Sequence, residues 1–141
     1  MKKKELTFFQ DCALKSYKIF LQKNMVLSTE IWESTLLSLG ATENTARKCC
    51  PKLAFVSLIE RNLLKGVSGQ IIKNNSRNAT YAVTLVSLYK NGKIKTEFPM
   101  KLKWEIMRND LIARKVIENP AMNNQGQLDV VEVFYKKQLL K

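Results

Sequence analysis

The sequence predicts an all-α fold, a compact single domain of about six to eight helices spanning residues 1–141. Apolar residues recur at spacings of three and four through most of the chain, as they do on the buried face of a helix. Capping residues and glycines stand where these runs begin and end. The 141 residues, 45% of them hydrophobic, suffice for one core without disulfides or metals.

The first two helices are predicted by their apolar stripes. Residues 6–23 form the first, with the stripe Leu6, Phe9, Ala13, Tyr17 and Phe20. The second begins at Ser28, whose hydroxyl can cap free amides, carries Trp32 and ends at Gly40.

A short third segment and a longer fourth helix follow. Thr42 caps the segment 43–49. Pro51 suits the first turn of the fourth helix, because its missing amide would have no partner there. This helix is predicted to include Leu63 and to end at Gly66, and residues 67–77 are predicted to form a loop.

Residues 81–98 allow two structures. Threonines and valines before Asn91-Gly92 are typical of a β-hairpin with a type I′ turn, which would make the fold α+β. The same residues can form an amphipathic helix that Asn91-Gly92 ends in the left-handed conformation.

A weak internal repeat favours the helix. Trp32-Glu33 recurs as Trp104-Glu105, and Asn62-Leu63-Leu64-Lys65 recurs as Gln138-Leu139-Leu140-Lys141. We therefore predict two similar halves, 5–65 and 79–141, in which residues 79–90 correspond to the first helix. Coincidence between amphipathic helices is the alternative. Asp129 caps or begins the last helix, after a break at Gly126.

The residue types exclude several classes of enzyme. The chain has no histidine, which removes Ser-His-Asp and Cys-His catalysis and His-containing zinc sites. It has no glycine-rich phosphate loop and no metal-like cluster of carboxylates. We expect no catalysis, no cofactor and no metal. Three cysteines, two of them adjacent, and the lack of a long apolar run predict a cytoplasmic protein without membrane contact.

The adjacent cysteines Cys49 and Cys50 precede the fourth helix, near Arg47, Lys48 and Lys52. A helix start and neighbouring cations favour a thiolate, as in reactive cysteines. No base accompanies the pair, however, and free cysteine is among the most often buried residue types. The sequence therefore favours structural packing over reactivity for both thiols.

The segment after the second helix has the rhythm of a helix-turn-helix. Leu36 and Ala46 would pack inside, and a recognition helix of about two turns would follow the glycine turn. The residues predicted to face base edges and phosphates are Thr42, Asn44, Arg47 and Lys48.

The charge is strongly positive, with 24 Lys and Arg against 12 Asp and Glu and a net charge of +12. From Arg61 to Thr96 there is no acidic residue. The basic residues of this stretch that we predict to contact nucleic acid are Lys65, Lys73, Arg77, Lys90, Lys93 and Lys95. DNA is favoured over RNA as the partner, and a solvated basic surface without a ligand is the alternative.

A competing hypothesis is a protein interaction domain that forms a homodimer. Four apolar residues are predicted to be exposed at such a contact: Phe8, Leu111, Ile112 and Val116.

Several short motifs resemble a small uncharacterised bacterial protein family, a domain of unknown function. They are Cys50-Pro51-Lys52-Leu53-Ala54-Phe55, Asn62-Leu63-Leu64-Lys65-Gly66-Val67 with Gly69, Tyr81-Ala82-Val83 and Gln127-Leu128-Asp129-Val130-Val131. The chain departs from the family at Cys49, where glycine is usual, and at Ala79-Thr80, where a lysine is common. The resemblance implies a shared fold and length, and it implies no activity or site.

Overall fold

The computed structural model describes residues 7–23 and 28–141. These residues form helices and contain no β-sheet, which confirms the all-α prediction. The hairpin alternative is wrong, because residues 77–90 are helical. Leu6, predicted in the first helix, lies outside the described residues. The helices are α1 (Phe8–Gln22), α2 (Ser28–Ser38), α3 (Glu43–Ala46), α4 (Cys49–Glu60), α5 (Arg77–Lys90), α6 (Met100–Ala113) and α7 (Gln127–Lys136).

Several helix starts follow from local sequence chemistry. Thr7 and Gln10 form a capping box at the start of α1, each side chain accepting from the other's backbone amide. Thr42 caps α3 by accepting from the Thr45 amide, as predicted. Pro51 lies buried in the first turn of α4, also as predicted.

Two predicted boundaries are wrong. The fourth helix ends at Glu60, before the predicted exit at Gly66. Asn62 has a φ of 56°, and the Leu63 amide donates to the Leu58 carbonyl at 3.0 Å, which closes the helix early. The third segment is also shorter than predicted, since α3 has four residues.

Helices α4 and α7 lie side by side and run in the same direction. Pro51 of α4 lies against Gly126, which precedes α7, and the residues that follow the two helices pair through a bridge between Leu64 and Leu140. α1 and α5 run the same way on either side of α7. Thus α1, α4, α5 and α7 all begin at one end of the molecule, the upper end, and finish at the other, the lower end.

Contacts at both ends establish the direction of the outer helices. At the upper end, Phe9 of α1 approaches Gly126, and Asn78 of α5 accepts from the Gln127 amide group at 2.9 Å. At the lower end, the Tyr17 hydroxyl of α1 donates to the Lys65 carbonyl at 2.5 Å. The rings of Tyr89 and Tyr135 stack there with centroids 4.4 Å apart.

Aromatic rings connect the core across the helices. Trp32 of α2 contacts Phe55 of α4 at a centroid distance of 5.4 Å, and Phe55 contacts Phe134 of α7 at 6.3 Å. Trp104 of α6 packs on Tyr81 of α5 at 5.4 Å. Both tryptophans are buried, as the sequence predicts for core residues.

One pair of charged groups lies inside this core. The ammonium group of Lys103 on α6 binds the Glu132 carboxylate of α7 and donates to the Thr96 carbonyl at 2.9 Å. The Tyr89 hydroxyl of α5 donates to the same carboxylate at 2.6 Å. Burial acts to raise the pKa of Glu132, but the hydrogen bonds from Lys103 and Tyr89 outweigh it and hold the pKa below its ordinary value. This network joins α5, α6 and α7.

The ends of α4 and α7 resemble each other in detail. Asn62 and Gln138, which the repeat places in register, have φ values of 56° and 59°. Across the bridge, the Lys65 amide donates to Leu139 at 2.8 Å and the Lys141 amide donates to Leu63 at 2.9 Å. The two halves stay a prediction, for which these matching ends are the strongest support.

Within residues 7–23 and 28–141, each helix is too short or too polar to cross a lipid bilayer.

Replacing Lys103 by methionine should lower the free energy of unfolding by about 3–5 kcal/mol, because it leaves the Glu132 carboxylate buried without its main partner. Urea unfolding followed by circular dichroism measures the loss. A change below about 1 kcal/mol would show that the pair does not hold α6 in place.

The double variant Lys103→Met/Glu132→Gln is the control, since glutamine keeps an acceptor for the Tyr89 hydroxyl and carries no charge. It should be more stable than Lys103→Met alone. The native carboxylate stabilises the fold above its unfolded pKa of about 4.3, and this contribution disappears as the pH falls through the lower folded pKa. The double variant should lack that acid-dependent loss.

Gly126→Ala should destabilise the protein at the contact between α4 and α7. An added Cβ would lie 2.9 Å from the Pro51 Cβ, and the φ of 104° already disfavours alanine. Overpacking costs about 1–3 kcal/mol beyond the about 1–2 kcal/mol of the backbone conformation. Gly92→Ala is the matched control, with a φ of 74° and no atom within 4 Å. Equal losses in the two variants would disprove a close contact at Gly126.

Candidate functional site

The ten residues predicted to bind nucleic acid do not form one surface. Lys48 precedes α4 and Lys65 follows it, and the twelve residues of that helix span about 18 Å. The upper end holds Thr42, Asn44, Arg47, Lys48 and Arg77, and the lower end holds Lys65, Lys90, Lys93 and Lys95. Lys73 lies near the end of α4, where its amide donates to the Glu60 carboxylate at 2.9 Å, but it lines a different cavity from Lys65 and Lys90.

The predicted recognition helix is absent at the upper end. α3 has four residues, about 6 Å of helix, which is too short to place several side chains along a major groove. Leu36 and Ala46 are buried as expected, and Asn44, Arg47 and Lys48 are exposed. The predicted two-turn recognition helix is therefore wrong, and the nucleic-acid contacts of this segment stay a prediction.

At the lower end, lysines from three parts of the chain surround a groove of 460 Å³, the lysine groove. Lys65 follows α4, Lys90 belongs to the last turn of α5 and Lys136 to the last turn of α7. Lys93 and Lys95 lie in the exposed turn that leads from Lys90 to Thr96, another lining residue. Two of the ten predicted residues thus meet in one groove, with two more beside it.

Lys136 and Tyr135 of this groove are not among the residues predicted from the sequence. The run Tyr135-Lys136-Lys137 is visible in the sequence, but it lies about 40 residues after the acid-free stretch 61–96, from which most of the binding residues are predicted. The parallel course of α5 and α7 brings Tyr135 and Lys136 close to Lys90 at the lower end.

Tyr135 presents a half-exposed ring to the lysine groove. The side chain is 37% exposed and stacks on the buried ring of Tyr89, with 22° between the ring planes. The Tyr89 hydroxyl is fixed in turn by Glu132, and burial followed by this hydrogen bond raises the pKa of Tyr89. The groove therefore has a rigidly backed aromatic surface.

The charges of the lysine groove are largely uncompensated. Within the described part of the chain, Lys65, Lys90, Lys93 and Lys95 form no salt bridge. Lys136 lies 3.6 Å from the Glu132 carboxylate, which Lys103 already neutralises. The groove can accordingly attract anions.

A second cavity, the cysteine cavity, opens at the upper end with a volume of 750 Å³. Its lining includes Arg47, Lys48, Cys49, Cys50, Phe9 and Pro51. Cys49 is exposed, so the packing prediction is wrong for this thiol. Cys50 is half-buried, and its thiol donates to the Gln125 side chain at 3.6 Å.

The three thiols differ in environment. Cys12 is buried in the core, and burial raises its pKa to about 12. Burial, followed by the neighbouring Cys49, raises the pKa of Cys50. Within residues 7–23 and 28–141, no three Cys, Asp, Glu or His side chains are grouped to hold a metal ion.

The residues predicted for a homodimer contact are divided. Leu111 is fully buried, so its prediction as an exposed residue is wrong. Phe8, Ile112 and Val116 are exposed, but α1 packs on α2 and α7 whereas α6 packs on α5. Homodimerisation stays a prediction, and its exposed residues lie on different parts of the fold.

The fold and the two cavities define a basic protein that is all-helical over residues 7–23 and 28–141. Over residues 6–141 the sequence matches the Family of unknown function (DUF6979), and the chain belongs to this family. The resemblance to a family without an assigned activity is thereby confirmed. Comparisons with curated proteins and with solved structures find no match.

Iodoacetamide should alkylate the three thiols in the order Cys49, Cys50, Cys12. Cys49 is exposed, whereas burial protects Cys12 and raises its pKa to about 12, which keeps the thiolate scarce at pH 8. Peptide mapping by mass spectrometry gives the three rates. In denaturant the rates should converge. Native labelling of Cys12 at the rate of Cys49 would contradict the burial described.

Proposed function

We propose that the protein is a non-enzymatic module that binds nucleic acid through the lysine groove. The observation that carries the proposal is the convergence of Lys65, Lys90 and Lys136 around the exposed ring of Tyr135. Lys93 and Lys95 extend the positive surface beside the groove. The site combines charge with an aromatic face, the two elements that recognise nucleic acid strands.

Each element supports a different contact. Ammonium groups bind phosphates, and the released counterions make such binding depend steeply on salt. An aromatic ring stacks on an unpaired base at about 1–3 kcal/mol per base. Because the base must be unstacked to reach Tyr135, the groove favours a single strand.

The sequence-based preference for DNA over RNA stays a prediction. A recognition helix in the major groove would support it, but α3 is one turn long. Phosphates and stacked bases occur in both nucleic acids, so the proposal covers single-stranded DNA and RNA alike.

The lysines of the last turns also stabilise the fold. Lys90 and Lys136 lie where the negative ends of the α5 and α7 dipoles emerge, and a cation there contributes about 0.3–1 kcal/mol. Lys65, Lys93 and Lys95 lie outside the helices, and helix stability gives no reason for their positions.

A cytoplasmic location in a bacterial cell belongs to the same proposal. All three cysteines are free thiols, and thiols persist in reducing compartments. The bacterial source rests on the motifs noted in the sequence.

The test compares two double variants that lower the net charge from +12 to +8 equally. Lys90→Glu/Lys93→Glu alters the lower end and Arg47→Glu/Lys48→Glu alters the upper end. Fluorescence anisotropy with a labelled single-stranded oligonucleotide at about 50 mM salt should show roughly tenfold or greater weakening in the first. Its plot of log affinity against log salt should flatten by about 0.7 per lost lysine contact.

The second variant should bind nearly as the wild type does, and Tyr135→Ala should weaken the oligonucleotide but not heparin, which has charge without bases. Tyr135→Phe is the matched control for stacking. Equal losses of oligonucleotide affinity in both double variants would show that binding depends only on the net charge of the protein, and this would overturn the proposal. The absence of any binding by the wild type at about 50 mM salt would also overturn it.

A further inference from the structure

We propose that Cys49 is a modification site, at which the thiol exchanges with an anionic low-molecular-weight disulfide and retains one half of it in the cysteine cavity. Oxidised glutathione represents this chemical class. The site lies at the upper end, about 18 Å along α4 from the lysine groove, and does not depend on nucleic-acid binding.

The cavity is large enough for such a ligand. Its 750 Å³ exceeds the 460 Å³ of the lysine groove and falls within the range of about 300–1,000 Å³ typical of ligand pockets. Phe9 and Pro51 provide apolar walls, and Asn124 and Gln125 provide amide groups. Cys49 lines this space and is exposed, so a bulky disulfide can reach its sulfur.

The charges around the cavity select for anions. Arg47 and Lys48 line it, and the lysine is free of salt bridges among the described residues. Arg47 lies 3.9 Å from Glu43, an exposed and weak pair that water screens. The carboxyl group of Asp129 also lines the cavity, and burial followed by the nearby Glu132 raises its pKa. Two cations therefore face a single carboxyl group.

The reaction is a thiol–disulfide exchange. The Cys49 thiolate attacks one sulfur of the small disulfide, the original sulfur–sulfur bond breaks, and the second half leaves as a thiolate that takes a proton from water. The Cys49 sulfur is oxidised as the departing sulfur is reduced, so no further oxidant is needed. The product is a mixed disulfide on Cys49.

Cys50 makes this product persistent. Reversal from within would need Cys50 to attack the mixed disulfide as a thiolate, but its thiol is half-buried and donates to Gln125. Burial also raises the pKa of Cys50, which keeps it protonated. The mixed disulfide is released by an external thiol.

The experiment compares an anionic with a neutral disulfide on the native full chain. Oxidised glutathione and 2-hydroxyethyl disulfide are added separately at pH 8 and about 0.15 M salt, and intact mass with peptide mapping gives the rate at each cysteine. A small model thiol treated in parallel corrects for the intrinsic reactivity of the two reagents. Cys49 should react before the other cysteines. The ratio of its rate with oxidised glutathione to its rate with 2-hydroxyethyl disulfide should be about tenfold higher than the same ratio for the model thiol.

The double variant Arg47→Glu/Lys48→Glu should lose this preference. Lys90→Glu/Lys93→Glu, with the same net charge, should keep it within about twofold, because those lysines lie beyond the screening length at physiological salt. High salt should abolish the preference in the wild type, a result that needs no variant. Cys49→Ser should eliminate the modification.

Three outcomes would overturn the proposal: modification chiefly at Cys12 or Cys50, an unchanged preference in Arg47→Glu/Lys48→Glu, or equal relative rates for the two disulfides on the wild type. None of these outcomes bears on nucleic-acid binding at the lysine groove, which is tested with Lys90→Glu/Lys93→Glu.

Discussion

The parallel packing of α4 against α7 is the constraint on which the remaining structure depends. Both helices are buried on nearly all sides, which is unusual in a chain of 141 residues. The close approach of Gly126 to Pro51 fixes their upper ends, and the bridge between Leu64 and Leu140 fixes their lower ends. α1 packs on α7, and α5 packs on both helices of the pair. Each runs in the same direction as α4 and α7. That shared direction gives the two ends of the molecule different chemistry.

The buried pair Lys103–Glu132 solves a separate problem, the attachment of α6. This helix packs chiefly on α5, where Trp104 and Leu111 are buried. A lysine within the core is costly unless its charge is matched, and Glu132, Thr96 and Tyr89 complete its surroundings. The same Tyr89 supports the ring of Tyr135, so the network that secures α6 also shapes the lysine groove. Structure and candidate site therefore share residues here.

Sequence reasoning succeeded where the determinant is local. Caps such as Thr42, the proline at position 51 and the glycine after α5 act through neighbouring residues, and each is found where predicted. It failed where the determinant is distant. The burial of Leu111 and the exposure of Cys49 depend on which helices pack together. The ten predicted binding residues separated into groups because the long connection between α4 and α5 returns the chain to the upper end, which no local pattern reveals.

The bridge between Leu64 and Leu140 has a consequence for how the chain acquires its structure. The paired residues are separated by 76 positions, and α4 finds its partners α5 and α7 only in the second half of the sequence. On the ribosome, α4 emerges with α2 covering part of its apolar surface, and the rest stays uncovered until residues 127–136 have been synthesised. Closing so long a loop is slow compared with forming the helices themselves. Folding is therefore completed late. Apolar surface that a chaperone can bind is most exposed while only the first half of the chain has been synthesised.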